Sequence, residues 1–298
     1  MNTKISFGKI TDIIFNSANH IFLALFSLIC IYLFYYIFIY SISDPAKAAG
    51  GLTLLPMGLS FETYEGIFML DTIAGAFFIS LSRTIIGTAL MVFLSAMFAY
   101  LLTKKELYLR RFIYRFMVIT MYLGAGLIPF YLTLKAYGLR NSFFVYIIPG
   151  CISAFNVILV KTYIEQLPAS MEESAMIDGA SFIKIFTNII FPLSKPIIAT
   201  ITIFGAVGGW NSWMDNLFFV SSQKLMTLQL LLYNYLSSAE LTQQSMQNLQ
   251  SMKYSVSRIT PRSVQMCITM IVTLPIILVY PVLQRYFIKG IMIGAIKA

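Results

Sequence analysis

The sequence predicts an all-α integral membrane protein with about six transmembrane helices, and three observations carry that expectation. Of 298 residues, 58% are hydrophobic and only 11% are charged, where a soluble domain carries about 25% charged residues. Mean hydropathy is +0.80. The apolar residues also gather into runs of about 20, the length a helix needs to cross the hydrocarbon core. A water-soluble fold of this size could not hide so much apolar surface, so lipid must cover part of it.

The first run, residues 21–42, contains no charge. It is too long for a removable signal peptide and lacks a small-residue cleavage site, so a retained helix is expected. A second span is expected over 73–102, interrupted by Arg83, then spans over 112–134, 142–164, 193–209 and 264–287. Within the third, Gly124 to Pro129 reads as a packing or bending element. Between the fifth and sixth lies a long stretch, 211–262, with a polar segment around Gln243 to Gln250; part of it is expected to re-enter the membrane or lie along its surface. No repeat, low-complexity tract or soluble domain stands out, so the expectation is one membrane domain over 1–298.

The net charge is +9 and the pI about 9.4. In a soluble protein that balance would raise nucleic acid as a partner. Here the cations lie between apolar spans, so no nucleic acid is expected and their sidedness matters instead. With the N-terminus inside, thirteen Lys and Arg fall on the inner face and seven on the outer. The densest cluster, Lys104 to Arg115, sits in a short loop, where the rule carries most weight. Both termini are therefore expected in the cytoplasm.

Catalytic chemistry finds little material. His20 is the only histidine, and Cys30, Cys151 and Cys267 fall in or beside separate apolar runs with no paired or metal-ligand spacing. They read as reduced packing residues. No catalytic residue and no metal site is expected.

The segment 167–192, at the head of LPASMEESAMIDGASFIKIFTNIIFPLSKP, is the most informative. Ser170 followed three residues later by Glu173 has the spacing of a capping box. Glu172 and Glu173 suit the positive end of a helix dipole. Gly179 is placed to end that helix in the left-handed conformation, and a second helical piece leads towards Pro192. A two-piece helical knob between spans four and five follows. An ordinary connecting loop would account for the cap and the glycine, but not for a defined helix where a short link would do.

This stretch resembles the EAA signature of the permease subunits of binding-protein-dependent ABC importers. That signature is Glu-Ala-Ala, three residues, Gly, nine residues, Ile, one residue, Leu-Pro. Here it reads Glu173-Ser174-Ala175, Gly179, Ile189 and Phe191-Pro192. Every spacing fits, with Ser174 and Phe191 as mild departures. The resemblance implies a type I importer permease fold in a bacterial plasma membrane, with the knob as a coupling helix docked on a separate ATPase. By position, Glu172, Glu173, Ala175, Asp178 and Gly179 would form that contact. It further implies a second, similar permease, two ATPase subunits and an extracellular solute-binding protein as partners, beside the membrane lipid. The chain has no GxxxxGK[ST] phosphate loop, so ATP and Mg belong to the ATPases and no cofactor is expected here.

The resemblance extends along nearly the whole chain and fits best the carbohydrate branch, that of the maltose-type permeases. It rests there on GGWNSWMDNLFF at 208–219, MTLQLLLYNYL at 226–236 and the ending from Pro281. The ending is most similar to a subgroup handling complex or acidic oligosaccharides. Trp210, Asn211, Trp213, Asp215 and Asn216 combine flat apolar faces with hydrogen-bonding groups, which suits a sugar. An aromatic belt or simple packing is the commoner role for such tryptophans, and both readings stand. Arg83 either faces the pathway, where it would suit an anionic sugar, or snorkels to the outer headgroups; the sequence favours snorkelling. Gly205 with Gly209, and Gly290 with Gly294, match close-packing GxxxG spacing. The tail from Lys289 would approach the ATPases. The alternative class is a secondary transporter driven by an ion gradient, which would show internal repeats and mid-membrane ionisable groups.

Overall fold

The computed structural model describes residues 7–48, 50–51, 54–68, 71–237 and 260–295. Among these the backbone is helical throughout, apart from loops and one isolated antiparallel bridge between Ser43 and Leu59. The chain divides into two compact units, 1–69 with 238–271, and 70–237 with 272–298.

The first unit is built on α1 (Phe7–Ser41), followed by α2 (Pro45–Ala48) and α3 (Glu62–Phe68). From residue 12 to 35 every side chain of α1 is exposed, and the apolar stretch Asp12–Ser41 has mean hydropathy 2.4. Apolar side chains exposed all round a helix mark a surface that water does not meet. The end of α1 is instead pinned by polar groups. Ser43 Oγ donates to the Ile39 carbonyl at 2.6 Å and accepts from the Met57 amide at 3.2 Å, and Tyr64 donates to Ser41 Oγ at 2.8 Å. Asp44 caps α2 by accepting from the Ala46 amide at 2.9 Å.

The second unit is organised around α4 (Asp71–Thr103), which matches the expected second span closely. Its residues Met91, Val92, Ala96, Ala99, Tyr100 and Leu102 form a buried core with α7 (Ala154–Ile164) and α11 (Lys195–Asn211), through Val157, Val160, Ile197 and Ile201. Small residues let the helices approach. A Cβ at Gly205 on α11 would collide with the Met91 methyl and stand 3.2 Å from a Thr88 carbon, whereas one at Gly209 would stand 3.7 Å from the Thr84 backbone. Close approach of small residues is how helices associate where lipid removes the usual hydrophobic driving force.

Three expected spans are not straight rods. The third is two helices, α5 (Arg110–Tyr122) and α6 (Leu127–Ala136), separated by Leu123 to Gly126. Gly126 has φ +82°, a conformation open to glycine. The fourth is two 3-10 turns, Phe143–Tyr146 and Ile148–Gly150, followed by α7 at a 44° bend. The fifth is preceded by α9 (Phe182–Ile185), a π-turn through Phe186–Ile190 and α10 (Phe191–Leu193), and then bends by 83° into α11. Pro192 and Pro196 flank that bend, and proline lacks the amide that would continue the ladder. Beyond α11 come α12 (Met214–Phe219), α13 over residues 228–237, and the long α14 (Pro261–Ala295) with Pro275 and Pro281 inside it. By length and composition the described residues hold three membrane-crossing helices, or up to five if each bent pair is one span. The polar segment Gln243 to Gln250 lies outside the described residues.

Candidate functional site

The knob between α7 and α11 begins with α8 (Ala169–Ile177). The expected capping box does not form. The helix starts two residues early, with Pro168 as its N-cap in place of Ser170, and makes no side-chain cap bond. Ser170 then lies inside the first turn, where its hydroxyl cannot cap. The C-terminus follows the expectation in detail. Gly179 has φ +74°, its amide donates to the Met176 carbonyl at 3.0 Å, and the Ala180 amide reaches back to Ala175 at 3.0 Å. This pair of bonds is the Schellman arrangement, which satisfies carbonyls a helix end leaves orphaned. Ser181 Oγ then caps α9 by accepting from the Lys184 amide.

The two faces of α8 differ. Ala175 is 9% exposed and packs in the core with Tyr100, Ile185 and Phe186. Its small side chain therefore seats the knob against its own chain. Glu172 also faces inward: Oε1 accepts from the Tyr100 hydroxyl at 2.9 Å and pairs with the Lys104 ammonium, which lies over the Tyr100 ring. Glu173, Asp178 and Gly179 face outward, with no atom within 4 Å of where a Gly179 Cβ would stand. Beside them Ile177 is 86% exposed and Ile183 is 75% exposed. Sequence reasoning missed these two isoleucines, because an apolar residue in a short helix carries no label saying which face it occupies.

The second feature is a cavity of about 470 Å³ in the second unit. Arg83, Gly87, Thr88 and Met91 of α4 form one wall. Tyr146, Gly150, Ser153, Phe155 and Asn156 form another, and Phe204, Gly205, Gly208 and Gly209 of α11 the third. The glycines make the space, since α11 presents bare backbone there.

Arg83 corrects the snorkelling expectation. It is 5% exposed and does not reach outward. Its Nη2 meets Asp215 Oδ2 at 2.6 Å, its Nη1 meets Oδ1 at 3.3 Å and the Ser212 carbonyl at 3.4 Å, and the guanidinium lies 4.5 Å from the Tyr146 ring centroid. A buried cation needs such pairing, and the forked guanidinium matches a carboxylate's two oxygens. The partner lay 132 residues away in sequence, so no local pattern could have disclosed it.

The remaining residues expected along a sugar pathway do not line this cavity. Trp210 is buried, donates Nε1 to the Val272 carbonyl at 2.9 Å and packs edge-on against Phe77. Asn216 is fully buried, and its Oδ1 accepts from the Thr227 amide at 2.7 Å and hydroxyl at 3.1 Å. Trp213 stacks on Tyr233 with centroids 4.2 Å apart, and Asn211 accepts from Gln229 at 3.1 Å. Only Arg83, held by Asp215, is brought to the cavity wall. Among the described residues no cluster of three or more His, Cys, Asp or Glu could hold a metal.

Comparison with known proteins gives a consistent answer. The family described as binding-protein-dependent transport system inner membrane component matches residues 91–293. The chain is 35% identical to the polygalacturonan/rhamnogalacturonan transport system permease protein YtcP of Bacillus subtilis (strain 168), over 93% of this chain and 96% of that one. It is 33% identical to Protein LplC of the same organism, over 99% and 97%. Its fold superposes with a TM-score of 0.83 and 30% identity on a solved chain from a bacterial ABC transporter involved in the import of the acidic polysaccharide alginate, covering 93% of this chain and 98% of that one.

Proposed function

Because this chain belongs to the family of binding-protein-dependent transport system inner membrane components, a family of multi-pass membrane subunits of ABC importers, we propose that it is one of two permeases forming a pathway for an oligosaccharide. An extracellular binding protein delivers the sugar, and two separate ATPase subunits hold the ATP and Mg and do the hydrolysis. Six spans, with α5 and α6 together as the third and both termini in the cytoplasm, complete this reading. The dense cations of the loop after α4 support that orientation.

The knob carries the mechanical part of the proposal. It is capped at its C-terminal end, packed into the core through Ala175, and fastened through Glu172, so it moves as a rigid body with the end of α4. Its outer side offers Glu173, Asp178 and exposed Ile177 and Ile183, an apolar surface with acidic flanks that suits a cleft on another protein. A push on that surface would reorient α4 and α11, whose contact walls the cavity.

The cavity volume lies in the range of small-ligand sites. Arg83, Tyr146, Ser153 and Asn156 give it a charged group, an aromatic face and hydrogen-bonding groups. The sugar class rests on the named relatives, one named for polygalacturonan and rhamnogalacturonan and one for the acidic polysaccharide alginate. Co-purification tests the reading. The complex should bring an ATPase subunit with it, and uptake should cease when that subunit is lost. Uptake retained without any ATPase would favour an ion-driven carrier.

A further inference from the structure

We propose that the loop after α4 and the first turns of α5 form a binding site for the headgroup of an anionic phospholipid. The loop and helix enclose a cleft of about 750 Å³ lined by Lys105, Leu107, Leu109, Arg110, Arg111, Phe112 and Arg115. Four cations share it. Among the described residues none of the four takes part in an ion pair, since the pairs formed are Arg83 with Asp215, Lys104 with Glu172 and Lys161 with Glu165. Glu106 in the same loop is exposed and makes no pair either. Arg110 reaches a single backbone oxygen, that of Thr103, at 3.4 Å.

This cluster is held together against its own repulsion. The first turn of α5 contains no acidic residue, so the positive end of the helix dipole adds to the repulsion between Arg110 and Arg111 instead of offsetting it. An anion drawn into the cleft would relieve both terms.

The apolar surface beside the cleft says which anion. Phe112, Phe116 and Ile119 are all exposed and recur at helical spacing along one stripe of α5. The Phe112 and Phe116 rings stack at 6.2 Å and 17°. Arg111 and Arg115, a turn apart, flank that stripe at its start. Cations at the end of a helix, with aromatics beside them and bare apolar surface running on, match a molecule with an acidic head and long hydrocarbon tails. A soluble phosphate would use the cations and leave the stripe uncovered. An acidic protein surface would leave it facing lipid without using it. Basic pockets beside membrane helices on the cytoplasmic side commonly take anionic headgroups in this way. The cations also favour the inward orientation of the loop, but that role needs only their number, not a shared cleft.

The test is native mass spectrometry of the intact importer complex, equilibrated with phosphatidylglycerol or with phosphatidylcholine. Wild type should retain a phosphatidylglycerol that survives an excess of inorganic phosphate. The Arg111→Gln/Arg115→Gln variant should hold it about tenfold or more weakly, since each basic residue near an anionic surface contributes on the order of 1 kcal/mol. Phosphatidylcholine retention should not change, and Lys104, Lys105 and Arg110 remain to keep the topology. Arg115→Glu, a single exposed change, should act in the same direction. Unchanged phosphatidylglycerol retention in both variants would overturn the proposal, as would displacement by inorganic phosphate alone. Loss of the ATPase subunit with phosphatidylglycerol retained would also overturn it, by assigning the cluster to a protein interface.

Discussion

The Tyr100 hydroxyl donates to Glu172 Oε1 at 2.9 Å, joining the knob to the end of α4 across 72 residues of sequence. Lys104 adds its ammonium to the same oxygen. One carboxylate thus ties the surface proposed to receive force to the helix that carries Arg83.

Cutting that tie should uncouple the machine before it unfolds it. Glu172→Ala removes both bonds and leaves the core contacts of Ala175 in place, so sugar uptake per ATP hydrolysed should fall several-fold in proteoliposomes. Tyr100→Phe removes one hydrogen bond, worth about 1 kcal/mol, and should give a milder loss in the same direction. A normal uptake-to-hydrolysis ratio in Glu172→Ala would mean that force does not pass through this contact.

Arg83 and Asp215 make a different prediction, about stability. Asp215→Ala leaves a guanidinium buried without its counter-charge, a change that costs about 3–5 kcal/mol for a fully buried pair. The Asp215 side chain retains 24% exposure, so the lower end of that range applies. The melting temperature of the purified complex should drop clearly. The double variant Arg83→Met/Asp215→Leu should recover much of the loss, because it leaves no lone charge. Equal destabilisation in the single and double variants would contradict the pairing.

Two glycines of α11 should respond oppositely. Gly205→Val would drive its new carbons into Met91 and Thr88, an overpacking that costs about 1–3 kcal/mol. Gly209→Ala meets only ordinary contact with Thr84 and relieves glycine's helix penalty of about 1 kcal/mol. Thermal unfolding of the two variants side by side should show a fall for the first and no fall for the second.

These residues also mark what could be read from the chain. Long apolar runs declare themselves, because a bilayer sets the length and the composition; α4 covers the expected run, whereas α1 starts at Phe7, well before the expected 21, and ends beside the expected 42. Gly179 was legible for a local reason: few other residues accept its positive φ. Gly124 and Gly126 with Pro129 signalled a weak point in the third span, and the helix does break there. The cap of α8 was misread because Pro168, not Ser170, took the boundary. Pairings such as Arg83 with Asp215, or Glu172 with Tyr100, were invisible because the chain returns to them only after the helices pack. For the same reason the fate of Trp210 and Asn216, bound to backbone and neighbours inside the fold, could not be told from their composition.

The exposed apolar face of the knob leads to the most direct test. Ile177→Cys places a thiol beside Glu173 and Asp178 on the outward side of α8, at a position 86% exposed. In the assembled complex in inverted vesicles, a short thiol cross-linker should join it to the ATPase subunit. The parent chain, with only Cys30, Cys151 and Cys267, should give no such product. If Ile177→Cys instead reacts only with an impermeant reagent added from outside intact cells, or stays uncross-linked in an active complex, the knob is not the handle proposed here.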